Sequence, residues 1–309
     1  MGYATPFSNH AEPMYLEHPG RRHTNARGVK NVESESDLSG ERRIEVVLQE
    51  PIARVRLVGP GGRALMDARL FEELGEVFKS LDQNDAVRVV ILVGPGKDFS
   101  LGLDLKSAGG LLISLAEAGD TEARQDFLEL LQGWQDAINA VAACRKPTIA
   151  CITGWCVGAG VDLAAACDIR IASSDSVFSV REVRVGIVAD LGSLQRLAGV
   201  IGDGHLRELA LTGDDISASR AAAIGLVNHV MDGAENTMAS AATTAARIAQ
   251  NSPLALRGVK EVLDTERGPR VAAGLRYTAA WNAAFIFSED LREAMQAFTE
   301  GRDPVFSGR

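Results

Sequence analysis

Short apolar runs alternate with glycine-rich turns and helix-period segments over much of this chain. Apolar residues recur at helical spacing after Asp67, which is suited to act as an N-cap: Leu70, Leu74, Val77 and Leu81. The strand-like runs cover residues 44–48, 52–58, 87–93, 148–153, 169–172 and 177–180. This alternation predicts an α/β fold made of layered helices and strands.

The last third of the chain is predicted to be helical. Beyond about residue 190 the strand signal persists only at residues 225–230, while helix-period apolar positions cover residues 234–250, 253–265 and 276–300. Residues 1–43 differ from both regions, because they are rich in proline and histidine, balance six basic against six acidic side chains and lack hydrophobic periodicity. We expect them to form a flexible tail.

Composition excludes several classes of partner and location. The 32 Lys and Arg residues against 41 Asp and Glu residues give a net charge of −9, which disfavours binding to nucleic acid or anionic membranes. The longest uncharged stretch, residues 147–161, is shorter than the roughly 20 apolar residues of a membrane-spanning helix. No secretory, matrix-targeting or peroxisomal signal is recognisable, so we expect a cytoplasmic protein without a membrane span.

The four cysteines lie close together in the apolar centre of the sequence. Cys144, Cys151, Cys156 and Cys167 form no CxxC pair and have almost no histidine nearby. They are therefore predicted to be reduced core thiols, and no metal site is expected.

Two glycine-rich turns each follow a strand-like run. The first covers residues 94–105 and lacks the spacing of a phosphate-binding P-loop; the second covers residues 154–162 and lacks the third glycine of a dinucleotide fingerprint. Both offer unpaired N–H groups at a helix start, which is what an oxyanion site requires. The alternative is that these glycines only permit tight turns.

Three acidic residues lie in apolar or turn-like sequence: Asp162, Glu182 and Asp190. A carboxylate in such a setting needs a partner or a function. The alternative is that each is a helix cap or an exposed charge, and Asp190 is well placed to cap a helix over residues 191–198.

From Arg42 to the C-terminus, these motifs resemble the crotonase, or enoyl-CoA hydratase/isomerase, superfamily. The two turns are similar to the oxyanion turns of that family, and Cys167-Asp168-Ile169-Arg170 follows at the expected distance. The resemblance implies a ββα spiral core over residues 44–233 and a C-terminal helical trimerisation region over residues 234–309. It also implies a homotrimer or a homohexamer.

The acidic triplet distinguishes among chemistries within that superfamily. A typical hydratase has Glu at the positions matching Asp162 and Glu182 and Gly at the position matching Asp190, whereas the set here resembles Δ3,5-Δ2,4-dienoyl-CoA isomerases. Trp281-Asn282 resembles them too. The implied reaction converts 3,5-dienoyl-CoA to 2,4-dienoyl-CoA in fatty-acid β-oxidation, with no cofactor, since CoA is part of the substrate.

The resemblance also assigns binding roles along the two turns. The main-chain N–H groups of Leu103 and Ala159 match the oxyanion hole, with alanine at the second position where the family usually has glycine. Lys97 and Lys106 flank the first turn and are either CoA-steering cations or ordinary surface lysines. The other substrate-binding positions are Leu101, Gly102, Asp104 and Gly158.

The implied proton shift from C2 to C6 needs two carboxyl groups, because a proton-transferring group must lie about 3 Å from its target. We assign Glu182 to C2 as base and Asp190 to C6 as acid, with the reverse assignment left open. Asp190 must then start protonated. Asp162 is shorter than the hydratase Glu by one bond and is expected to support its neighbours rather than to activate water.

Several other functions are compatible with parts of the sequence. An enoyl-CoA hydratase or a Δ3,Δ2-enoyl-CoA isomerase would need no acid at Asp190, and a noncatalytic or RNA-binding relative should have a basic surface and degraded acids. A Ser-His-Asp hydrolase lacks its Gly-x-Ser-x-Gly elbow, and an NAD-binding oxidoreductase depends on the incomplete fingerprint alone.

Overall fold

A computed structural model describes residues 42–108 and 120–309 of the chain. Almost all of the predicted tail, residues 1–43, therefore lies outside the described residues. The strands are β1 Ile44–Gln49, β2 Ile52–Leu57, β3 Val89–Val93, β4 Thr148–Ile152, β5 Trp155–Val157, β6 Ile169–Ser173, β7 Val177–Ser179, β8 Ile216–Ser217 and β9 His229–Met231. The helices are α1 Ala68–Gln83, α2 Thr121–Ala143, α3 Ala159–Ala166, α4 Ser193–Ile201, α5 Asp203–Thr212, α6 Ala218–Ala223, α7 Gly233–Ala249, α8 Pro253–Phe285 and α9 Glu289–Glu300.

The strands form two sheets. The larger has the order β1-β2-β3-β4-β6-β9, in which only the β1–β2 pair is antiparallel. The smaller has the order β5-β7-β8, with β5 and β7 parallel. Because the central strands of the larger sheet are parallel, the turns that follow β3 and β4 leave the same edge of the sheet. This edge carries both glycine-rich turns.

The central strands are buried on both faces, as their continuous apolar runs predict. Along β3, Val90 and Leu92 face the core built with α1, α2 and α3, whereas Val89 and Ile91 face the small side chains of α7. All four are fully buried. The turns at the end of β3 therefore start from a strand that is fixed by packing on both sides.

The predicted helix behind Asp67 is confirmed as α1. The Asp67 carboxylate accepts a hydrogen bond of 2.9 Å from the Leu70 N–H group, so it is the N-cap that the sequence predicts. On the buried face of this helix, Phe71 stacks on Trp134 of α2 with ring centroids 5.1 Å apart.

The helical last third is confirmed, but its predicted boundaries are wrong. Instead of separate helices over residues 253–265 and 276–300, α8 runs without a break from Pro253 to Phe285, and α9 begins behind the N-cap Ser288. Gly268, Pro269 and Gly274 obscure the hydrophobic period in the sequence. The buried side chains of Val271 and Leu275 nevertheless hold this stretch in the helix.

The structure also bears on the cysteines and on the question of a membrane span. Cys144, Cys151, Cys156 and Cys167 are all buried and free of disulfides, as predicted for core thiols, and burial raises the pKa of the Cys151 thiol to about 12. Within residues 42–108 and 120–309, no helix combines the length and the apolar character needed to cross a membrane.

Candidate active site

The first glycine-rich turn is held in place by main-chain hydrogen bonds to the segment before α1. The Met66 N–H group donates to Gly102 O (2.9 Å), and the Asp104 N–H group donates to Met66 O (2.8 Å). In such a parallel bridge the residue between the two partners directs its own N–H group away from the neighbouring strand. Leu103 is that residue, so its N–H group points away from Met66.

The second turn leads from β5 into α3 and is joined to the first. The Ser100 N–H group donates to Trp155 O (2.9 Å), and the Val157 N–H group donates to Ser100 O (3.0 Å). Gly158, with φ of 52°, is the N-cap of α3, so the N–H group of Ala159 lies at the helix start, where it has no acceptor within the helix. This N–H group is therefore available to a ligand.

Close packing of glycines brings the two turns together. A Cβ atom placed on Gly102 would lie 2.9 Å from Val157 O and 3.7 Å from Ala159 N, and one placed on Gly160 would lie 2.7 Å from the Ser100 Cβ. Side chains at these positions would push the turns apart. We call the two turns, with the N–H groups of Leu103 and Ala159, the oxyanion wall, after the role predicted for them from the sequence.

A cavity of about 140 Å³ opens beside this wall. Its lining also includes all three of the acidic residues singled out in the sequence, which we call the acid wall: Asp162, Glu182 and Asp190. The rest of the lining is mainly apolar: Leu101, Gly102, Leu103, Leu105, Phe127, Leu131, Trp134, Val157, Gly158, Ala159, Arg181, Val185, Ile187, Leu191 and Ile286. The cavity therefore combines amide donors, carboxyl groups and an apolar surface.

Asp162 connects α3 to the start of α4. It is fully buried, and its Oδ1 accepts a short hydrogen bond from the Ser193 N–H group, at the first residue of α4. Gly192, the N-cap of α4, has no side chain to fill this role. Asp162 therefore caps the helix from a neighbouring element.

Glu182 lies next to the oxyanion wall. It begins a short 3-10 helix, Glu182–Val185, and its Oε1 would be 3.4 Å from a Cβ atom placed on Gly158. Its Oε2 is buried and has no hydrogen-bond partner among the described residues. This oxygen is free to form a hydrogen bond or exchange a proton with a ligand in the cavity.

Asp190 is held from two distant helices, and its predicted alternative as a helix cap is wrong. The N-cap of α4 is Gly192, with no side-chain cap. Instead, the Asn282 side chain on α8 donates to Asp190 Oδ2 (2.5 Å), and the Gln135 side chain on α2 donates to Asp190 O (2.7 Å). Helix packing thus fixes this carboxyl group at the cavity.

The acid wall resists full ionisation. Burial raises the pKa of Asp190 to about 7, against the lowering effect of the hydrogen bond from Asn282. Burial also raises the pKa of Glu182, and the charges of Asp162 and Asp190 raise it further. Burial is again the main cause that raises the pKa of Asp162, opposed by its hydrogen bonds to Ser193. Neutral pH therefore leaves the acid wall partly protonated, as carboxyl groups sharing an apolar site require.

When the acid wall is partly protonated, Glu182 and Asp190 do not bind the proton equally well. Asp190 accepts a hydrogen bond that favours its ionised form, whereas Glu182 Oε2 accepts none from the described residues. In the ligand-free cavity the proton is therefore favoured on Glu182, and a reaction that starts with protonated Asp190 must first move it.

The comparison with known proteins follows the same motifs. Residues 48–309 match the model of the enoyl-CoA hydratase/isomerase family. The chain belongs to the enoyl-CoA hydratase/isomerase family. The family predicted from the two turns and the acids is thereby confirmed.

Relatives within the enoyl-CoA hydratase/isomerase family cover most of the chain. A Dictyostelium discoideum protein named mitochondrial Delta(3,5)-Delta(2,4)-dienoyl-CoA isomerase is 38% identical over 82% of this chain and 87% of its own length. An Arabidopsis thaliana protein named as the peroxisomal form is 43% identical over 77% of this chain and 86% of its own. A solved enoyl-CoA hydratase/isomerase from Mycobacterium paratuberculosis covers 83% of this chain and 98% of its own, with a TM-score of 0.74 and 27% identity. These likenesses confirm the predicted crotonase-like fold.

Some residues predicted to bind substrate lie away from the cavity. Lys97 and Lys106 are exposed, and neither lines it. Asp104 is buried, but its carboxylate accepts a hydrogen bond from the Lys106 N–H group (3.2 Å), so it stabilises the turn and does not face the cavity. Leu101, Gly102 and Gly158 do line the cavity.

Some of the residues that line the cavity are not identified by the sequence analysis. The α2 side chains Phe127, Leu131 and Trp134 form part of the apolar lining, but in the sequence they are ordinary positions of a helix period. Gln135 gives a weak signal, because an amide on the buried face of a helix needs a polar partner. In the described part of the chain, no group of three or more His, Cys, Asp or Glu residues is arranged to hold a metal ion.

Proposed function

We propose that this family member is a Δ3,5-Δ2,4-dienoyl-CoA isomerase that acts in fatty-acid β-oxidation. The observation that carries the proposal is the position of Asp190. This third carboxyl group lines the same apolar cavity as Glu182 and the oxyanion wall. The relatives from Dictyostelium discoideum and Arabidopsis thaliana bear the name of this activity.

The first step is removal of a proton from C2 of the 3,5-dienoyl thioester. Negative charge then spreads over the thioester oxygen and C6. Main-chain N–H groups aimed at that oxygen lower the barrier, and the oxyanion wall offers those of Leu103 and Ala159. Glu182 is the base at C2, because it lies beside Gly158 of the oxyanion wall.

The second step delivers a proton to C6. Asp190 donates it and becomes a carboxylate, while Glu182 keeps the proton taken from C2, so the net charge of the complex does not change. The product state leaves the proton on Glu182, where the ligand-free cavity favours it. Turnover therefore requires a proton to return from Glu182 to Asp190 before the next substrate reacts.

A side-by-side assay tests the assignment against its nearest rivals. Purified protein should convert 3,5-dienoyl-CoA to 2,4-dienoyl-CoA, which is measured by the absorbance that arises when the diene becomes conjugated with the thioester carbonyl. It should hydrate 2-enoyl-CoA slowly. Fast hydration that survives Asp190→Asn, with no detectable dienoyl isomerisation, would instead identify an enoyl-CoA hydratase. Conversion of 3-enoyl-CoA alone would identify a Δ3,Δ2-isomerase.

We further propose that the protein assembles as a homotrimer or a homohexamer. Helix α8 exposes three aromatic side chains at intervals of four residues: Tyr277, Trp281 and Phe285. They are 70%, 44% and 59% exposed in the single chain, and a second copy of the chain is a suitable cover for such an apolar stripe. Sedimentation at micromolar concentration should give a trimer or a hexamer, and a stable monomer would contradict this.

The cytoplasmic location also stays a proposal. The relatives named above carry mitochondrial and peroxisomal designations. Fractionation of cells that produce the full chain should recover it with cytoplasmic markers, and recovery in an organelle or a membrane pellet would contradict this.

A further inference from the structure

Asn282 makes two hydrogen bonds at the edge of the acid wall. Its Nδ2 donates to Asp190 Oδ2 (2.5 Å) and to Val188 O (2.9 Å), so both hydrogens of the amide are used within three residues of one loop. The side chain is 3% exposed. An amide this deeply buried and fully engaged has a single orientation.

Neighbouring contacts fix the helix that carries Asn282. The Gln135 side chain on α2 donates to Leu275 O of α8 (3.3 Å) as well as to Asp190 O (2.7 Å). Nearer the end of α8, the Arg124 guanidinium donates to Ala283 O (3.0 Å) and Ala284 O (2.7 Å). Helix α2 therefore holds the last turns of α8 and the loop of Asp190 in one fixed relation.

The direction of the Asn282 bond determines which oxygen of Asp190 can carry a proton. An amide N–H group is only a donor, so the oxygen that accepts it cannot at the same time direct a hydrogen toward that amide. Oδ2 is occupied in this way, and Oδ1 is left for the proton. The bond also gains strength once Asp190 has lost its proton, because hydrogen bonds to an ionised carboxylate are the stronger ones.

We propose that Asn282 is the positioning residue that places the acidic proton of Asp190 on Oδ1 and stabilises the carboxylate left after the proton moves to C6. This inference rests on the proposed isomerase function. In the step concerned, the O–H bond at Oδ1 breaks, a C–H bond forms at C6, and the negative charge passes from the extended enolate to Asp190. Since the Asn282 bond strengthens during this step, it contributes to kcat more than to substrate binding.

The charged surroundings of Asp190 allow a pH signature. Asp162 of α3 and Glu182 are the acids that interact with it, and Arg196 of α4 offsets the charge of Asp162. The hydrogen bonds that α2 and α8 donate to Asp190 come from the neutral amides of Gln135 and Asn282. Loss of the Asn282 donor therefore raises the pKa of Asp190 and moves the alkaline limb of the kcat profile toward higher pH.

The test compares Asn282→Ala and Asn282→Asp with Thr278→Ala. Thr278 lies one turn earlier on the same helix, is also buried and binds another helix, with its hydroxyl 2.8 Å from Gln195 Nε2, but it does not touch Asp190. Each Asn282 variant should lower kcat about 10- to 100-fold at pH 7, with KM for the dienoyl-CoA within twofold of wild type. The alkaline limb should move up by about one pH unit in Asn282→Ala. Thr278→Ala should lower the Tm but leave kcat within twofold and the limb in place.

A second measurement does not depend on turnover. The carboxyl C=O band of Asp190, assigned by its loss in Asp190→Asn, should disappear at a higher pH in Asn282→Ala than in wild type. An unchanged band together with an unchanged limb would overturn the proposal, as would equal losses of kcat in Asn282→Ala and Thr278→Ala. If wild type has no isomerase activity but the band still disappears at a higher pH in Asn282→Ala than in wild type, the isomerase function is refuted and the positioning of Asp190 stands.

Discussion

The two sides of the cavity are built in different ways. The oxyanion wall consists of main-chain N–H groups, and short hydrogen-bonded turns between residues 66 and 160 position them. The acid wall consists of side chains, of which Asp162 is bound by α4 and Asp190 by α2 and α8, each from a distant part of the sequence. Glycine at a few positions suffices for the first wall, whereas the second depends on the packing of the whole chain.

Among changes to the two walls, removing a carboxyl group that the proposed mechanism uses for proton transfer should lower turnover the most. Asp190→Asn and Glu182→Gln keep the shape of the acid wall, and each should lower isomerase turnover by about 10²-fold or more. Binding of the CoA ester should barely change, as measured by calorimetry with a nonreactive acyl-CoA. The double variant should be little worse than either single variant, because the proposed mechanism uses both groups in one proton shift.

Strict additivity of the two losses would contradict this account, because it would mean that the two carboxyl groups act independently. Hydration of 2-enoyl-CoA is the control reaction. It should be slow in wild type and should not be selectively lost in Asp190→Asn.

Backbone displacement should break the oxyanion wall nearly as severely. Gly102→Ala places a methyl group 2.9 Å from Val157 O at a φ of 83°, so the two turns must separate. We expect kcat to fall about 10- to 100-fold, the range of one lost oxyanion donor or less. Gly96→Ala, in the same turn but facing open space, is the matched control and should stay within twofold of wild type. Comparable activity of the two variants would show that the contact between the turns is not needed.

Substitution of Asp162 should distinguish a supporting role in the acid wall from a role in proton transfer. Asp162→Asn keeps an oxygen that accepts from the Ser193 N–H group but removes the negative charge beside Arg196. The expected loss of kcat is about 10-fold, smaller than for Asp190→Asn or Glu182→Gln. Circular dichroism should confirm that α4 is retained. A loss as large as that of Glu182→Gln would mean that Asp162 transfers a proton itself.

The smallest predicted effect concerns stability as a function of pH. Burial raises the folded-state pKa of Asp190 to about 7, above the roughly 3.9 of an unfolded chain. The folded state therefore binds this proton more tightly, and the stabilisation it provides is lost as pH rises through about 7. Asp190→Asn does not suffer this loss, so its Tm should exceed that of wild type by about 2–4 °C at pH 8.5 and by less at pH 5. A Tm difference independent of pH would contradict the shifted pKa.

Local patterns in the sequence predict much of the fold because they reflect local physics. The continuous apolar run of β3 and the period of 3.6 along α1 are recorded in neighbouring residues, and the cap Asp67 lies next to the helix it starts. Prediction fails at α8, where Gly268 and Pro269 signal a break that packing overrides. A single proline removes only one donor from a helix, and the buried side chains from Val271 onward hold the part of α8 that follows it.

The features of the candidate site likewise divide into those that local sequence records and those that tertiary packing sets. By itself, the sequence determined the family, the two glycine turns and the identity of the three acids, because these are properties of short segments and of residue types at fixed spacings. Only the tertiary structure decided that Asp190 binds Asn282 rather than capping α4, that Asp162 caps α4 from another helix, and that Lys97 and Lys106 lie outside the cavity. The reason is physical: a hydrogen-bond partner 92 residues away is chosen by how helices pack, and no local pattern records that choice.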